Sequence, residues 1–366
     1  MASGERVPSA AVLTIDLRAI AANWRNLAAL ASPAECAGVV KADAYGLGLE
    51  PVSRALWDAG CRTFFVALPD EGRRLRALLP QAAIYVLNGL PPGRAADFAA
   101  ADLRPVLGSP PEIADWAAHC RQTGPLPAAI HVDTGMNRLG LRPEEVPALL
   151  ESGLLGRFRP SLVMSHLACA DEPGNALTLR QLELFRRVRA LFPGAPASLA
   201  NSAGTLSGPE FMFDLVRPGI ALYGAEAIEG RALRPVVTLE APVAQVREAA
   251  PNESVGYGAA QTLRRPTRLA VLCIGYADGY LRAASASDSR RGAEAAVMGR
   301  RVPVVGRMSM DLAAVDVTDI PEAERGAMVE LIGPTIPVDE LARAAGTIGY
   351  EVLTRLGNRL IRHYVQ

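Results

Sequence analysis

A chain of 366 residues is longer than one small core needs and fits two domains, or one large barrel with an appendage. Half of it is hydrophobic and 21% is charged, the profile of a globular protein with a sizeable interior. Lysine plus arginine equals aspartate plus glutamate at 38 each, so no net field gathers nucleic acid or an anionic membrane, and neither partner is expected.

The five cysteines, Cys36, Cys61, Cys120, Cys169 and Cys273, are odd in number, widely spaced and free of any Cys-x-x-Cys. That argues against a disulfide framework and for a reducing compartment. The four histidines, His119, His131, His166 and His363, lack metal-ligand spacing, so no metal is expected. The apolar stretch Ala10 to Ile15 is short and runs into Asp16 and Arg18, unlike a secretory signal. No apolar run approaches the roughly 20 residues needed to cross a bilayer. A soluble, cytoplasmic protein is the simplest reading.

In chain order, a β-rich run at Val12–Asp16 comes first and is a candidate to pair with the β-rich region at the far end of the chain. Leu17–Leu30 follows with helical spacing, Ile20, Trp24, Leu27 and Leu30 falling on one face. Strands are then predicted at Gly38–Lys41, Thr63–Leu68, Ala83–Leu87, Leu103–Leu107, Ala128–Asp133, Ser161–His166, Ser198–Asn201 and Asp214–Arg217. Helical segments separate them, with starts marked by Pro110-Pro111-Glu112 and Pro143-Glu144-Glu145 and a clear example at Leu177–Leu191. Eight successive β-α units point to a (β/α)8 TIM-type barrel over residues 12–235 rather than an open sheet. Past Arg231–Pro235 the pattern changes. Val236–Val246, Arg268–Ile274, Arg301–Val305, Ala313–Val317 and Met328–Ile332 read as strands and only Val338–Ala345 as helix, so 236–366 is expected to be a β-rich domain.

Several segments carry chemistry. Val39-Val40-Lys41-Ala42-Asp43-Ala44-Tyr45-Gly46-Leu47-Gly48 puts a lysine at the end of the first barrel strand, where side chains face the mouth of the barrel. An apolar wall there disfavours the ammonium and makes the amine a nucleophile able to form a Schiff base; the plain alternative is a lysine snorkelling from a strand end. Arg138, in Asp133-Thr134-Gly135-Met136-Asn137-Arg138-Leu139-Gly140, suits a phenolate or carboxylate, or is a solvated loop arginine. His166, in Met164-Ser165-His166-Leu167, could equally be a satisfied core histidine. The loops after strands seven and eight, Asn201-Ser202-Ala203-Gly204 and Val216-Arg217-Pro218-Gly219-Ile220, stand where barrels bind phosphate. There Ser202 can donate its hydroxyl, and Gly219 and Ile220 their amides. Tyr257, between Gly256 and Gly258, sits on approachable backbone. By itself it reads as a turn residue, since a phenol has a reference pKa of about 10 and is a weak base near neutrality.

These segments together resemble the alanine racemases, from about Val12 to near the C-terminus. Lys-Ala-Asp-Ala-Tyr-Gly-x-Gly is the most specific match, and Gly306-Arg307-Met308-Ser309-Met310-Asp311 and Gly349-Tyr350-Glu351 extend it into the second domain. The resemblance implies a fold-type III pyridoxal 5'-phosphate (PLP) enzyme interconverting L- and D-alanine. Lys41 would hold PLP as an aldimine, while Tyr45, Ser202, Gly219, Ile220 and Tyr350 contact its phosphate. Arg138 would bond the phenolic oxygen and lie near the substrate carboxylate, His166 would lie by the ring, and Arg217 would face the pyridine nitrogen. Arginine only donates, so that nitrogen would stay unprotonated and reprotonation at Cα would be favoured over transamination. Lys41 and Tyr257 would be the two opposed acid-base residues. Tyr257 and the Met310 amide, which binds the substrate carboxylate, would come from the partner of a head-to-tail homodimer with shared active sites, and Tyr276 would line the entrance. The product, D-alanine, points to peptidoglycan supply or to alanine catabolism.

One departure stands out. Some members carry a lysine, modified to a carbamate that positions the active-site arginine, where this chain has His131. Three rivals remain open: a racemase for serine, lysine or a broad set of amino acids; a decarboxylase, against which Met308-Ser309-Met310-Asp311 counts; and a PLP carrier, which would lack the region after Pro235.

Overall fold

Residues 8–366 are described by a computed structural model, and they fall into two compact units. One comprises Ile20–Leu222 with Glu226–Arg234. The other comprises the described chain up to Ala19, Tyr223–Ala225 and Pro235–Gln366.

In the first unit, seven parallel strands pair in chain order: Gly38–Val39, Thr63–Val66, Ala83–Val86, Arg104–Leu107, Pro127–His131, Arg159–Met164 and Ala197–Ser198. An eighth, Leu215–Val216, pairs in parallel with Glu35–Cys36, just ahead of the first. On its other side, Arg217 N donates to Ala200 O at 2.9 Å, and Asn201 and Arg217 form a bridge. Ala37 N to Val216 O and Val39 N to Pro218 O, both 3.0 Å, continue the seam. The sheet thus curls until its two ends meet, as an eight-fold β/α repeat requires.

The observed ladders stop short of several predicted strand ends. Gly38–Lys41 ends at Val39, Ala128–Asp133 at His131, and Ser161–His166 at Met164. Residues beyond the last paired position turn out into the loops, and Lys41, Asp133 and His166 are among them. The helices between strands include Leu49–Ala59, Pro69–Leu78, Pro110–Thr123 and Ala176–Ala190; the last two units are covered by the short helix Ser202–Ser207 and 3-10 turns at Pro209–Phe211 and Ile220–Tyr223.

The first helix, Leu17–Ala31, is capped by Asp16, whose Oδ1 accepts from Arg18 N at 2.9 Å and Ala19 N at 3.0 Å. Its buried face is Ile20, Trp24, Leu27 and Ala31, whereas Leu30 is 51% exposed. The helical period explains the difference: steps of four, three and four keep to one stripe, and Leu30 falls a residue short of it.

In the second unit, the sheet order is Arg300–Pro303, Glu294–Val297, Met328–Ile332, Val237–Ala249, Val12–Asp16 and Ile361–Val365. Val12–Asp16 lies antiparallel to Val237–Ala249 and parallel to Ile361–Val365, with Leu13 and Ile15 fully buried on one face. The long strand continues past irregularities at Leu239/Glu240 and Val243/Gln245 to pair with Thr267–Leu272, which pairs in turn with Ala313–Asp316. Pro242, which has no N–H to donate, sits between those irregularities. Helices form at Val338–Ala345 and at Gly349–Arg355. The second was not expected: seven residues opening on glycine give little periodicity to read. Among the described residues, no helix is long and apolar enough to cross a membrane.

Asn23 ties the ends of the barrel unit together. Fully buried, it donates to Leu222 O at 3.2 Å and Arg234 O at 2.9 Å and accepts from Arg234 N at 3.0 Å. Asn23→Leu keeps similar volume but leaves three backbone groups unpaired. It is expected to cost about 2–4 kcal/mol, measured as a lowered urea midpoint with an unchanged slope.

Candidate active site

Lys41 opens a short turn of left-handed backbone. Ala42, Asp43, Ala44 and Tyr45 have φ of 53°, 54°, 54° and 57°. Each such non-glycine residue costs about 1–2 kcal/mol, so the surroundings must enforce the conformation. Ala44 N donates to Val40 O at 2.9 Å, Gly46 N to Ala42 O at 2.8 Å and Gly48 N to Asp43 O at 2.8 Å. Glu71 grips the turn from the first turn of helix Pro69–Leu78: Oε1 accepts from Ala42 N at 2.6 Å, and Oε2 from Ala67 N at 2.8 Å and Leu68 N at 3.0 Å. Asp43 accepts from Leu49 N at 3.0 Å and Arg74 at 3.2 Å.

Burial pushes the Lys41 amine below its ordinary pKa, the positive charge of Arg138 pushes the same way, and Glu71 opposes them. The lysine is thereby moved toward the free amine that a nucleophile or base requires.

Arg217 is buried at the seam between strands seven and eight. Nη1 donates to Ser198 Oγ, and Nη2 to Ser165 O at 2.6 Å and Leu199 O at 3.4 Å, while facing His166 Nδ1 at 3.4 Å. Burial lowers its pKa to about 9, so it remains a cation at neutral pH. Burial first, and then the charge of Arg217, pushes His166 well below its ordinary value. The same two causes bring His131 down to about 4, so both imidazoles are neutral at pH 7. Behind them, Thr134 Oγ1 and Ser165 Oγ lie 2.7 Å apart, and Gln181 bonds His166 O and Ala168 N, each at 2.9 Å.

Ser202 Oγ accepts from Gly219 N at 2.8 Å and Ala221 N at 3.3 Å, which leaves its hydroxyl hydrogen to donate. The Gly219 amide is thus committed to Ser202, while the Ile220 amide has no partner among the described residues. A Cβ on Gly219 would stand 2.3 Å from Tyr45 Oη, so only glycine lets the two loops approach. Lys41, Tyr45, Arg138, His166, Ser202, Arg217, Gly219 and Ile220 all belong to this barrel unit.

Tyr257, Tyr276, Met310 and Tyr350 belong to the β-rich unit. Gly256 bridges Arg307, Tyr276 N donates to Ser309 O at 3.2 Å, and Ala277 N donates to Met310 O at 2.9 Å, so the tyrosine and methionine segments are braced together. Tyr257 is 68% and Met310 53% exposed.

Glu71, Ser198 and Gln181 were missed from the sequence. Glu71 had a readable signal, an acid at the third position of a helix opened by Pro69. Ser198 and Gln181 carried none, because a buried polar residue is recognised only by its partners.

The barrel mouth therefore holds a desolvated amine, two arginines, two neutral imidazoles and a glycine-lined hydroxyl pocket. This donor set fits an anionic, carbonyl-bearing cofactor with a phosphate, and among the described residues no His, Cys, Asp and Glu cluster could hold a metal ion. Fold and site are those of a barrel enzyme acting through a reactive lysine.

Comparison with known proteins narrows the class. The family model for the alanine racemase N-terminal domain matches residues 15–227, and that for the C-terminal domain matches 236–364. A curated alanine racemase of Methylobacterium nodulans is 56% identical, covering 97% of this chain and 96% of its own. One from Methylobacterium sp. (strain 4-46) is 55% identical, covering 98% of each. The crystal structure of alanine racemase from Bartonella henselae, with covalently bound pyridoxal phosphate, superposes with a TM-score of 0.92 at 42% identity, covering 98% of this chain and all of that one. The chain belongs to the alanine racemase family.

The buried neutral histidines set an acid limit. His131 titrates near 6.5 when unfolded and about 4 when folded, so between those values the unfolded chain binds more protons. Its contribution is complete above pH 6.5 and is lost as pH falls through about 4, a swing of about 3 kcal/mol. His131→Gln is expected to flatten the slope of unfolding free energy against pH in that window, whatever its effect at pH 7.

Proposed function

We propose that the protein racemises alanine with pyridoxal 5'-phosphate held at the barrel mouth. The observation that carries this reading is the desolvated Lys41 amine, charge-coupled to Arg138, in a unit that also holds a buried Arg217 and the Tyr45–Ser202–Gly219 pocket. When bound, the cofactor supplies an electron sink for the charge that develops at alanine Cα on loss of its proton.

The chain's own residues divide the remaining work. Tyr45, the Ser202 hydroxyl and the loop at Gly219 and Ile220 would hold the cofactor phosphate, with Tyr350 proposed to complete the set. Arg217, a donor only, would hold the cofactor's ring without giving it a proton, which would favour return of the proton to Cα. Arg138 would bond the cofactor's phenolic oxygen and the substrate carboxylate, and His166 would help hold the ring. Lys41 Nζ removes or returns the Cα proton on one face and Tyr257 Oη does so on the other, since inversion needs two acid-base groups on opposite faces.

Tyr257 and the Met310 amide are supplied by the partner of a homodimer. Supporting this, Tyr257, Tyr276, Met310 and Leu312 are exposed on three braced segments of one unit, an apolar and aromatic surface that association would cover. Five free thiols suit a reducing cytoplasm, the location we propose. D-alanine made there would serve peptidoglycan precursors or alanine catabolism.

The test is incubation with PLP and L-alanine in heavy water. Loss of optical activity together with deuterium at Cα is expected; a bound cofactor with no exchange on alanine, but exchange on serine or lysine, would replace alanine as substrate. Lys41→Ala and Tyr257→Phe should each lower kcat by about 10²–10⁴-fold. Mixing the two inactive variants under subunit exchange should restore about a quarter of wild-type activity, because half the dimers become mixed and each then has one intact site. No recovery would reject shared sites.

A further inference from the structure

We infer that Asp133 is the positioning residue for Arg138: its carboxylate gathers the three backbone amides just before the arginine and so fixes where the guanidinium meets a substrate carboxylate. The inference rests on the reading of Arg138 as the carboxylate-binding residue.

The loop leaves and rejoins the end of strand Pro127–His131. Asp133 N donates to Leu141 O at 2.8 Å and Leu141 N to His131 O at 2.9 Å, closing the loop at its base. Within it, Asp133 Oδ1 accepts from Gly135 N at 2.8 Å and Met136 N at 2.7 Å, and Oδ2 from Asn137 N at 2.7 Å. Both carboxylate oxygens are thus turned inward on the loop, and Arg138 is the next residue. Asn137 is left-handed at φ 56°, a conformation asparagine tolerates, and the following residue, Arg138, is exposed. Gly140 has φ 118°, and a Cβ there would meet Asp133 N at 2.7 Å, so the far end of the loop is equally fixed.

Arg138 itself is exposed and has no hydrogen bond or ion pair among the described residues. His131, neutral and buried, supplies no counter-ion. No side chain therefore holds the guanidinium. Its aim comes from the backbone, and the backbone conformation comes from Asp133. A fork with free donors and a fixed base can take a ligand carboxylate without first breaking a protein ion pair.

The test uses the holoenzyme and propionate, a probe with the substrate's carboxylate and no amine, which reports on Arg138 without turnover. Asp133→Asn keeps one acceptor oxygen and loses the other. It should weaken propionate inhibition about five- to tenfold and raise KM for L-alanine in step, with kcat and cofactor affinity within about threefold of wild type. Asp133→Ser should weaken propionate more. Arg138→Ala should weaken it about a hundredfold or more. A loop with a purely structural role would lower the unfolding temperature and the active fraction but leave the propionate constant of the remaining enzyme unchanged. That result, with Arg138→Ala still damaging, would overturn the role of Asp133. Unchanged propionate binding in Arg138→Ala would instead overturn the reading of Arg138, and the inference with it.

Discussion

A guanidinium sealed into the seam of the barrel is the constraint on which the site depends. Arg217 N closes the ring through Ala200, and its side chain turns inward onto Ser198, Ser165 and Leu199, all of them neutral acceptors. A charge so placed has lost its hydration and gained no counter-charge, so it resists every further cation nearby. His166 and His131 answer by staying neutral. Such a cavity favours an anion, and the chemistry proposed for it brings in a phosphorylated cofactor and an amino-acid carboxylate.

The lysine reaches this cavity by a different device. A strand alone would leave Lys41 in the ladder, where its neighbours alternate across the sheet. Four successive left-handed residues take the chain out of the strand at once and bring Tyr45 beneath the Gly219 loop. The turn is costly in isolation and persists because Glu71 and Arg74 hold it from the neighbouring unit of the barrel, Arg74 through Asp43 of the turn itself. Rigid strands set the radius of the mouth, and strained or clamped loops set the direction of each group.

This division explains what the sequence revealed. Elements with a long period and a buried stripe were readable: Leu17–Ala31 and Ala176–Ala190 lie within a residue of their predicted bounds. Strand positions were readable too, though their ends were not, because Lys41, Asp133 and His166 have strand-like neighbours yet lie past the end of the strand-to-strand ladder. Glu294–Val297 and Ile361–Val365 were missed: the first is only four residues long, and the second, Ile-Arg-His-Tyr-Val, has charged and polar residues at positions half exposed on an edge strand. At the site, motif residues were singled out through the family resemblance. Their supports were not, since Ser198 and Gln181 matter through partners 19 and 15 residues away.

The two arginines show how one side chain serves two ends. Arg217 is fixed by four contacts at its own nitrogens, which suits the role proposed for it, opposing a ring nitrogen without moving or giving up a proton. Arg138 is fixed only at its backbone, which suits the role proposed for it, releasing one carboxylate and accepting another in every cycle. Were Arg138 clamped like Arg217, each substrate would have to displace a protein acceptor; were its loop slack, each binding event would bear the entropy of ordering it. Holding the main chain with Asp133 and leaving the guanidinium free avoids both costs.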